Sequence, residues 1–203
     1  MDLKELVCVK ENFFDTASLN KFLKFVKNDM NYKDQEIFKA NETITETIDL
    51  NKKVRKTKGD WLSNNMLMIP SKEEPFAMTK VFWYNFLVCK FSNFLHEFYD
   101  NNNMRLRPHD YDMDIQVLKY EDSGHYIPHI DYTKHAPRHF SFSYILNDDY
   151  EGGEIEFHFP KNEVLKVKPK ANSCIMFPSN FAFTHGVNPV TKGTRYVVVG
   201  WMP

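Results

Sequence analysis

His129, Ile130 and Asp131 set an imidazole and a carboxylate two residues apart, and His185 offers a second imidazole later in the chain. Two neutral imidazoles and one carboxylate can bind a divalent metal on one face and leave the remaining positions open. Iron(II) centres that take a chelating 2-oxo acid and O2 use such open faces, and zinc could use the same donors. The H-x-D spacing chelates only on an extended backbone, where residues i and i+2 point to one side. Ile130 is β-branched and favours that conformation, and Pro128 suits a strand start or an edge strand. Alone, the triplet carries little weight in a chain with 8 histidines.

Arg195 adds weight. The residues between it and His185, Asn188 to Gly193, have the composition of a turn, so His185 and Arg195 are expected on neighbouring antiparallel strands. Arg195 shares its strand parity with Val197, Val199 and Trp201. A guanidinium on an apolar-facing parity has to find an anion. That anion is either an internal Asp or Glu, or the carboxylate of a bound acid gripped at two points.

These residues need elements to position them. From residue 113 onward, short alternating runs are separated by Gly, Pro, Asn and Asp: 114–120, 127–131, 138–146, 154–159, 164–168, 173–177, 182–187 and 194–201. That texture predicts many antiparallel strands and a jelly roll. Helices are expected at 12–29, capped by Asp15 or Thr16, and at 74–99, with Pro75 in the first turn. The second is apolar on more than one face, which predicts burial against a sheet. The fold class read from this pattern is mostly β with flanking helices (α+β), a jelly-roll core with N-terminal helices packed outside. Residues 1–203 are expected to form a single domain, with 1–112 as helical support and possible lid and 113–203 as the core. Residues 43–50 alternate like a strand. The basic run 52–58 reads as a solvated loop or a segment near substrate, and 31–62 is the candidate lid or peptide-binding loop.

Composition narrows the function classes. The chain has 203 residues, 42% apolar and 15% aromatic, which excludes a disordered chain. A net charge of -1 gives no global field for nucleic acid or an anionic membrane. The N-terminus reads as lacking a signal peptide and no stretch reads as membrane-spanning, so a cytoplasmic protein is expected. Three scattered cysteines predict neither a disulfide framework nor a thiolate zinc site. No H-E-x-x-H helix supports a zinc hydrolase.

The C-terminal half resembles the prolyl 4-hydroxylase branch of the 2-oxoglutarate/Fe(II) dioxygenases. The resemblance is carried in order by Gln116 and Val117, by 120–131 with Tyr120, Gly124, Tyr126, Pro128, His129 and Asp131, and by 138–147 from Arg138 to Asn147. It continues through Gly152 and Gly153, 167–169, His185 to Val190, Gly193 to Tyr196, and Trp201. Residues 54–62, with Arg55, are similar to an earlier stretch of the family. The resemblance implies a double-stranded β-helix fold, iron(II) on His129, Asp131 and His185, and 2-oxoglutarate salt-bridged to Arg195 beside Tyr120. It implies O2 as co-substrate, ascorbate as an auxiliary reductant, and a proline-containing peptide or protein as substrate. Arg138, Trp201, Tyr126 and Arg55 are the expected substrate contacts. One departure stands out: Ile145 occupies the position of a family tyrosine that would bind the far carboxylate. Ser141, Ser143 and Tyr120 are the candidates to replace its hydroxyl. Hydroxylation of a free amino acid, nucleobase or small metabolite, and a non-catalytic metal-binding jelly roll, are the alternative readings.

Overall fold

Period-two alternation builds two antiparallel sheets that face each other. The computed structural model describes residues 2–35, 52–62, 75–104, 113–135 and 137–203. Along the chain run β1 (Cys8–Lys10), α1 (Thr16–Asn28), β2 (Lys33–Asp34), β3 (Arg55–Lys56), β4 (Lys58–Trp61) and α2 (Ala77–Asn101). Then come β5 (Asp114–Glu121), β6 (His125–His129), β7 (Phe140–Ile145), β8 (Glu151–Gly152) and β9 (Ile155–Phe159). The last are β10 (Glu163–Val167), β11 (Ser173–Pro178), β12 (Thr184–Val187), β13 (Val190–Lys192) and β14 (Thr194–Met202). The larger sheet has seven strands in the order β1-β11-β7-β14-β5-β4-β2, and the smaller has five, β10-β9-β12-β6-β3. β13 and β8 pair as a separate ribbon.

The seven-stranded sheet sends alternate residues to two different interiors. Ile115, Val117, Phe142, Tyr144, Cys174, Met176, Val198 and Met202 join Phe14, Phe22, Trp83, Leu87 and Phe91 in a core shared with the helices. The opposite parity, Leu118, Tyr120, Ile145, Ile175, Phe177 and Val197, packs with Ile155, Phe157 and Phe159 of the smaller sheet. Helix α1 begins where expected, because the Asp15 carboxylate accepts from the Ser18 backbone N–H. α2 starts at Ala77, so Pro75 precedes the helix instead of occupying its first turn.

Two other expectations change. The basic run is not a loop: Arg55–Lys56 pairs with β6 of the smaller sheet, and Lys58–Trp61 pairs with β5 of the larger one. The segment therefore switches sheets and closes one end of the sandwich, with the buried Thr57 at the corner donating to Lys119 O at 2.9 Å. Backbone pairing on both sides replaces the solvation that a charged loop would have. His185 and Arg195 are not on neighbouring strands. β12 lies between β9 and β6, whereas β14 lies between β7 and β5, so the two residues face each other across the sandwich. The turn-like residues between them contain β13 and carry the chain from one sheet to the other. The expected strand at 43–50, and part of the proposed lid, lie outside the described residues.

Candidate metal centre

A bulge in β6 assembles the centre. On β12, His185 and Val187 are two residues apart, yet their partners on β6, His129 and Tyr126, are three apart. The extra residue falls at Ile127–Pro128, where proline has no N–H to offer the ladder. In a regular strand Tyr126 and His129 would point to opposite faces. The bulge turns both to the same side, where their rings stack at 3.6 Å and 19°. Gly186 lets the strands approach this closely, because a Cβ there would lie 2.8 Å from Tyr126 O. β6 ends at His129, and Asp131 follows in a bend just past the strand. The H-x-D pair thus chelates from a strand end rather than from within a strand.

The donors converge. His129 Nε2 lies 3.5 Å from Asp131 Oδ1, and His185 Nε2 lies 3.5 Å from Asp131 Oδ2. One ligand atom from each of the three residues falls within 4.8 Å of the others, the one such His/Cys/Asp/Glu group among the described residues. Both imidazoles are oriented by backbone carbonyls. His129 Nδ1 is 2.9 Å from Ile127 O, and His185 Nδ1 is 3.1 Å from Phe183 O. A proton on each Nδ1 leaves each Nε2 with a lone pair facing Asp131, the tautomer a metal requires. Ser141 Oγ donates to Asp131 Oδ2 at 2.7 Å and shares a second hydrogen bond of 2.7 Å with Ser179 Oγ. Burial works against ionisation of Asp131, and the Ser141 hydroxyl, donating to Oδ2, favours it. Burial lowers His185 to about 4, which keeps the ring neutral. A carboxylate and two imidazole Nε2 atoms, each 3.5 Å from a carboxylate oxygen, fit one divalent cation with bonds of ~2.1 Å. The residues therefore fit a metal.

All the sequence-predicted site residues line one cavity of about 1220 Å³ between the sheets: His129, Asp131, His185, Arg195, Tyr120, Ser143, Arg138, Trp201, Tyr126 and Arg55. Arg195 is 1% exposed, and its Nε and Nη1 have no hydrogen-bond partner. It is opposite Tyr120 on β5, whose ring lies 5.1 Å from the guanidinium. Among the described residues, no Asp or Glu forms an ion pair with it. Gly153, at φ +67°, makes room for it: a Cβ there would come 3.0 Å from Arg195 Cδ.

Ser141 is spoken for by Asp131, so it is not free to replace the missing tyrosine. Ser143 lines the cavity two residues further along the same face of β7. Ile145 is buried in the inner core, and the adjacent Tyr144 faces the helices and donates to Asn172 Oδ1 at 2.9 Å. Arg138 stacks on Trp201 at 4.0 Å and lies 3.5 Å from Asp114, and Trp201 meets Trp61 at 6.1 Å. Sequence reasoning missed the support given by Ser141 and Ser179 and the contribution of Trp61. The parity of Ser141 with Arg195 across paired strands was the available signal.

Two facing antiparallel sheets around a His-Asp-His group define a double-stranded β-helix protein with a candidate metal centre. Residues 115–203 match the model of the 2OG-Fe(II) oxygenase superfamily. A PKHD-type hydroxylase of Synechococcus sp. (strain CC9902) is 35% identical over 92 residues, covering 43% of this chain and 40% of that protein. Prolyl 3-hydroxylase 2 of Homo sapiens is 41% identical over 66 residues, covering 32% of this chain and 9% of that one. The matches thus span two fifths or less of these relatives' lengths. A prolyl hydroxylase from Trichoplax adhaerens, solved in complex with a hypoxia inducible factor oxygen degradation domain peptide fragment, superimposes with a TM-score of 0.65 at 16% identity. That superposition covers 97% of this chain and 82% of the other. A viral collagen prolyl hydroxylase from Paramecium Bursaria Chlorella virus-1, in its 2OG complex, gives 0.57 at 17% identity, covering 97% and 94%. These likenesses establish the fold. Among the described residues no helix is long and apolar enough to cross a membrane.

Proposed function

We propose that the chain is an iron(II)- and 2-oxoglutarate-dependent dioxygenase that hydroxylates a C–H bond of prolyl residues in a peptide or protein. Succinate and CO2 are the co-products, and ascorbate serves as auxiliary reductant. The observation that carries the reading is Arg195, a buried guanidinium with unpartnered Nε and Nη1 in the same cavity as the His129, Asp131 and His185 donors. A buried unpaired cation is costly, and a ligand carboxylate removes that cost.

In this reading His129, Asp131 and His185 hold iron(II), which supplies the O2 chemistry when bound. Their hydrogen bonds fix each donor before the metal arrives. Arg195 grips the far carboxylate of 2-oxoglutarate at two points, and Tyr120 walls that end of the pocket. Ser143 is the remaining hydroxyl on β7 for the position the family fills with tyrosine. The Ile155, Val187, Val197 and Val199 side chains exclude water from the reacting atoms. Arg138, Trp201, Tyr126 and Arg55 form the mouth, where aromatic faces suit a prolyl ring and guanidinium N–H groups suit peptide carbonyls.

Succinate release from 2-oxoglutarate in the presence of iron(II), with a 16-dalton gain on proline-containing peptides, is the expected result, and Asp131→Ala abolishes both. Succinate without any gain on peptides, but with a gain on free amino acids or nucleobases, moves the substrate to those classes. No succinate from the wild type under any of these conditions overturns the enzyme reading.

A further inference from the structure

The bulge that assembles the metal centre also links it to the edge of the smaller sheet. Tyr126 lies against one face of the His129 ring. Its direct cross-strand partner on β3 is Arg55, and the register is fixed further by Ile127 N–H donating to Val54 O at 3.0 Å. The Arg55 guanidinium packs on the Tyr126 ring at 4.8 Å. Its Nε is buried and has no hydrogen-bond partner, so the aromatic face is the contact that holds this end of the side chain. Cation, phenol and imidazole thus form a stack running from the edge strand to a metal donor.

His129 has two constraints on its ring plane. The Nδ1 contact with Ile127 O fixes one edge, and that carbonyl lies within the bulge itself. The Tyr126 face fixes the plane. β3 is a two-residue edge strand and belongs to the segment that crosses between the sheets at the cavity mouth. A change in that segment therefore reaches the metal donor through two ring contacts.

We propose that Arg55 is a positioning residue for the metal centre: it clamps Tyr126 onto His129 and sets the plane in which His129 Nε2 presents its lone pair. This couples the strand that closes the cavity mouth to metal affinity. The inference rests on reading His129 as a metal ligand, and it assigns Arg55 a role that needs no substrate.

The test is anaerobic absorption titration of the metal-free protein with Co(II), which reports affinity and, through the ligand-field spectrum, donor geometry. Arg55→Met keeps side-chain length and removes the charge. It is expected to weaken Co(II) binding about three- to ten-fold and alter the bound spectrum. Arg55→Lys keeps a cation over the ring and retains most of the wild-type affinity. Tyr126→Leu reproduces the loss, and adding Arg55→Met to it causes no further change. Wild-type affinity and spectrum in Arg55→Met, or an undiminished second loss in the double variant, overturns this inference and leaves the metal reading intact. Failure of the wild type to bind Co(II) overturns both, and is seen before any variant is compared.

Discussion

Two cations are buried to the same depth in this protein, and they are treated in opposite ways. Lys80 and Arg195 are each 1% exposed. Lys80, on α2, has its ammonium 2.9 Å from the Asp60 carboxylate of β4, and Asp60 also accepts from the Asn31 backbone N–H at 2.9 Å. That pair ties the helix layer to the edge of the seven-stranded sheet. Arg195, on the inner face of the same sheet, has a tyrosine ring beside it and unsatisfied nitrogens. Folding alone would select a partner for both. A buried cation left without one marks a place where something outside the chain completes the structure.

The comparison can be broken most severely at Lys80. Asp60→Ala removes the carboxylate that faces the buried ammonium and is expected to cost about 3–5 kcal/mol of stability, read from urea unfolding of the metal-free protein. Arg195→Met under the same conditions is expected to leave stability unchanged or raise it, because no described carboxylate partner is lost and two buried nitrogens without hydrogen bonds are removed. An equal loss from both substitutions would erase the distinction. The next effect is on ligand binding: Arg195→Met is expected to weaken 2-oxoglutarate on the metal-loaded protein about 100-fold, or ~2.7 kcal/mol. 2-Oxoglutarate at ~100 times the wild-type Kd should then add ~2.7 kcal/mol to the wild type and only ~0.4 kcal/mol to the variant. Gly153→Ala tests the space given to Arg195. A Cβ at that positive φ and against Arg195 Cδ should cost about 1–2 kcal/mol of stability and raise the KM for 2-oxoglutarate. The smallest effect is expected for Ser143→Ala, about two- to ten-fold in that KM, corresponding to one hydroxyl contact. No change would leave the Ile145 departure without compensation on β7.

The two cations were unequally legible in the sequence. Arg195 could be read because strand parity is strict: its alternation with Val197, Val199 and Trp201 put it on the inner face, where the structure places it. Lys80 sits in an apolar helix whose period of 3.6 leaves several near-equivalent faces, and its partner lies in a segment that read as a loop. That misreading has a local cause. Charge in residues 52–58 suggested solvation, but β3 and β4 are edge and corner strands held by backbone hydrogen bonds to β6 and β5, which side-chain character does not report. The metal donors were legible from type and spacing, whereas their assembly was not. A three-against-two bulge shifts parity within β6, and Pro128 was its single sequence mark. Likewise, nothing local distinguishes a turn that returns to the neighbouring strand from one that crosses between sheets, so His185 and Arg195 were placed side by side when they face each other.

The central claim is that Arg195 is left unpaired to receive a ligand carboxylate beside the metal. Anaerobic calorimetric titration of the iron(II)-loaded protein with 2-oxoglutarate tests it directly, with Arg195→Met and a monocarboxylate 2-oxo acid as comparisons. Saturable binding by the wild type, lost about 100-fold in the variant, and weak binding of the monocarboxylate to both proteins is the expected result. Equal affinity of wild type and Arg195→Met for 2-oxoglutarate would contradict the account.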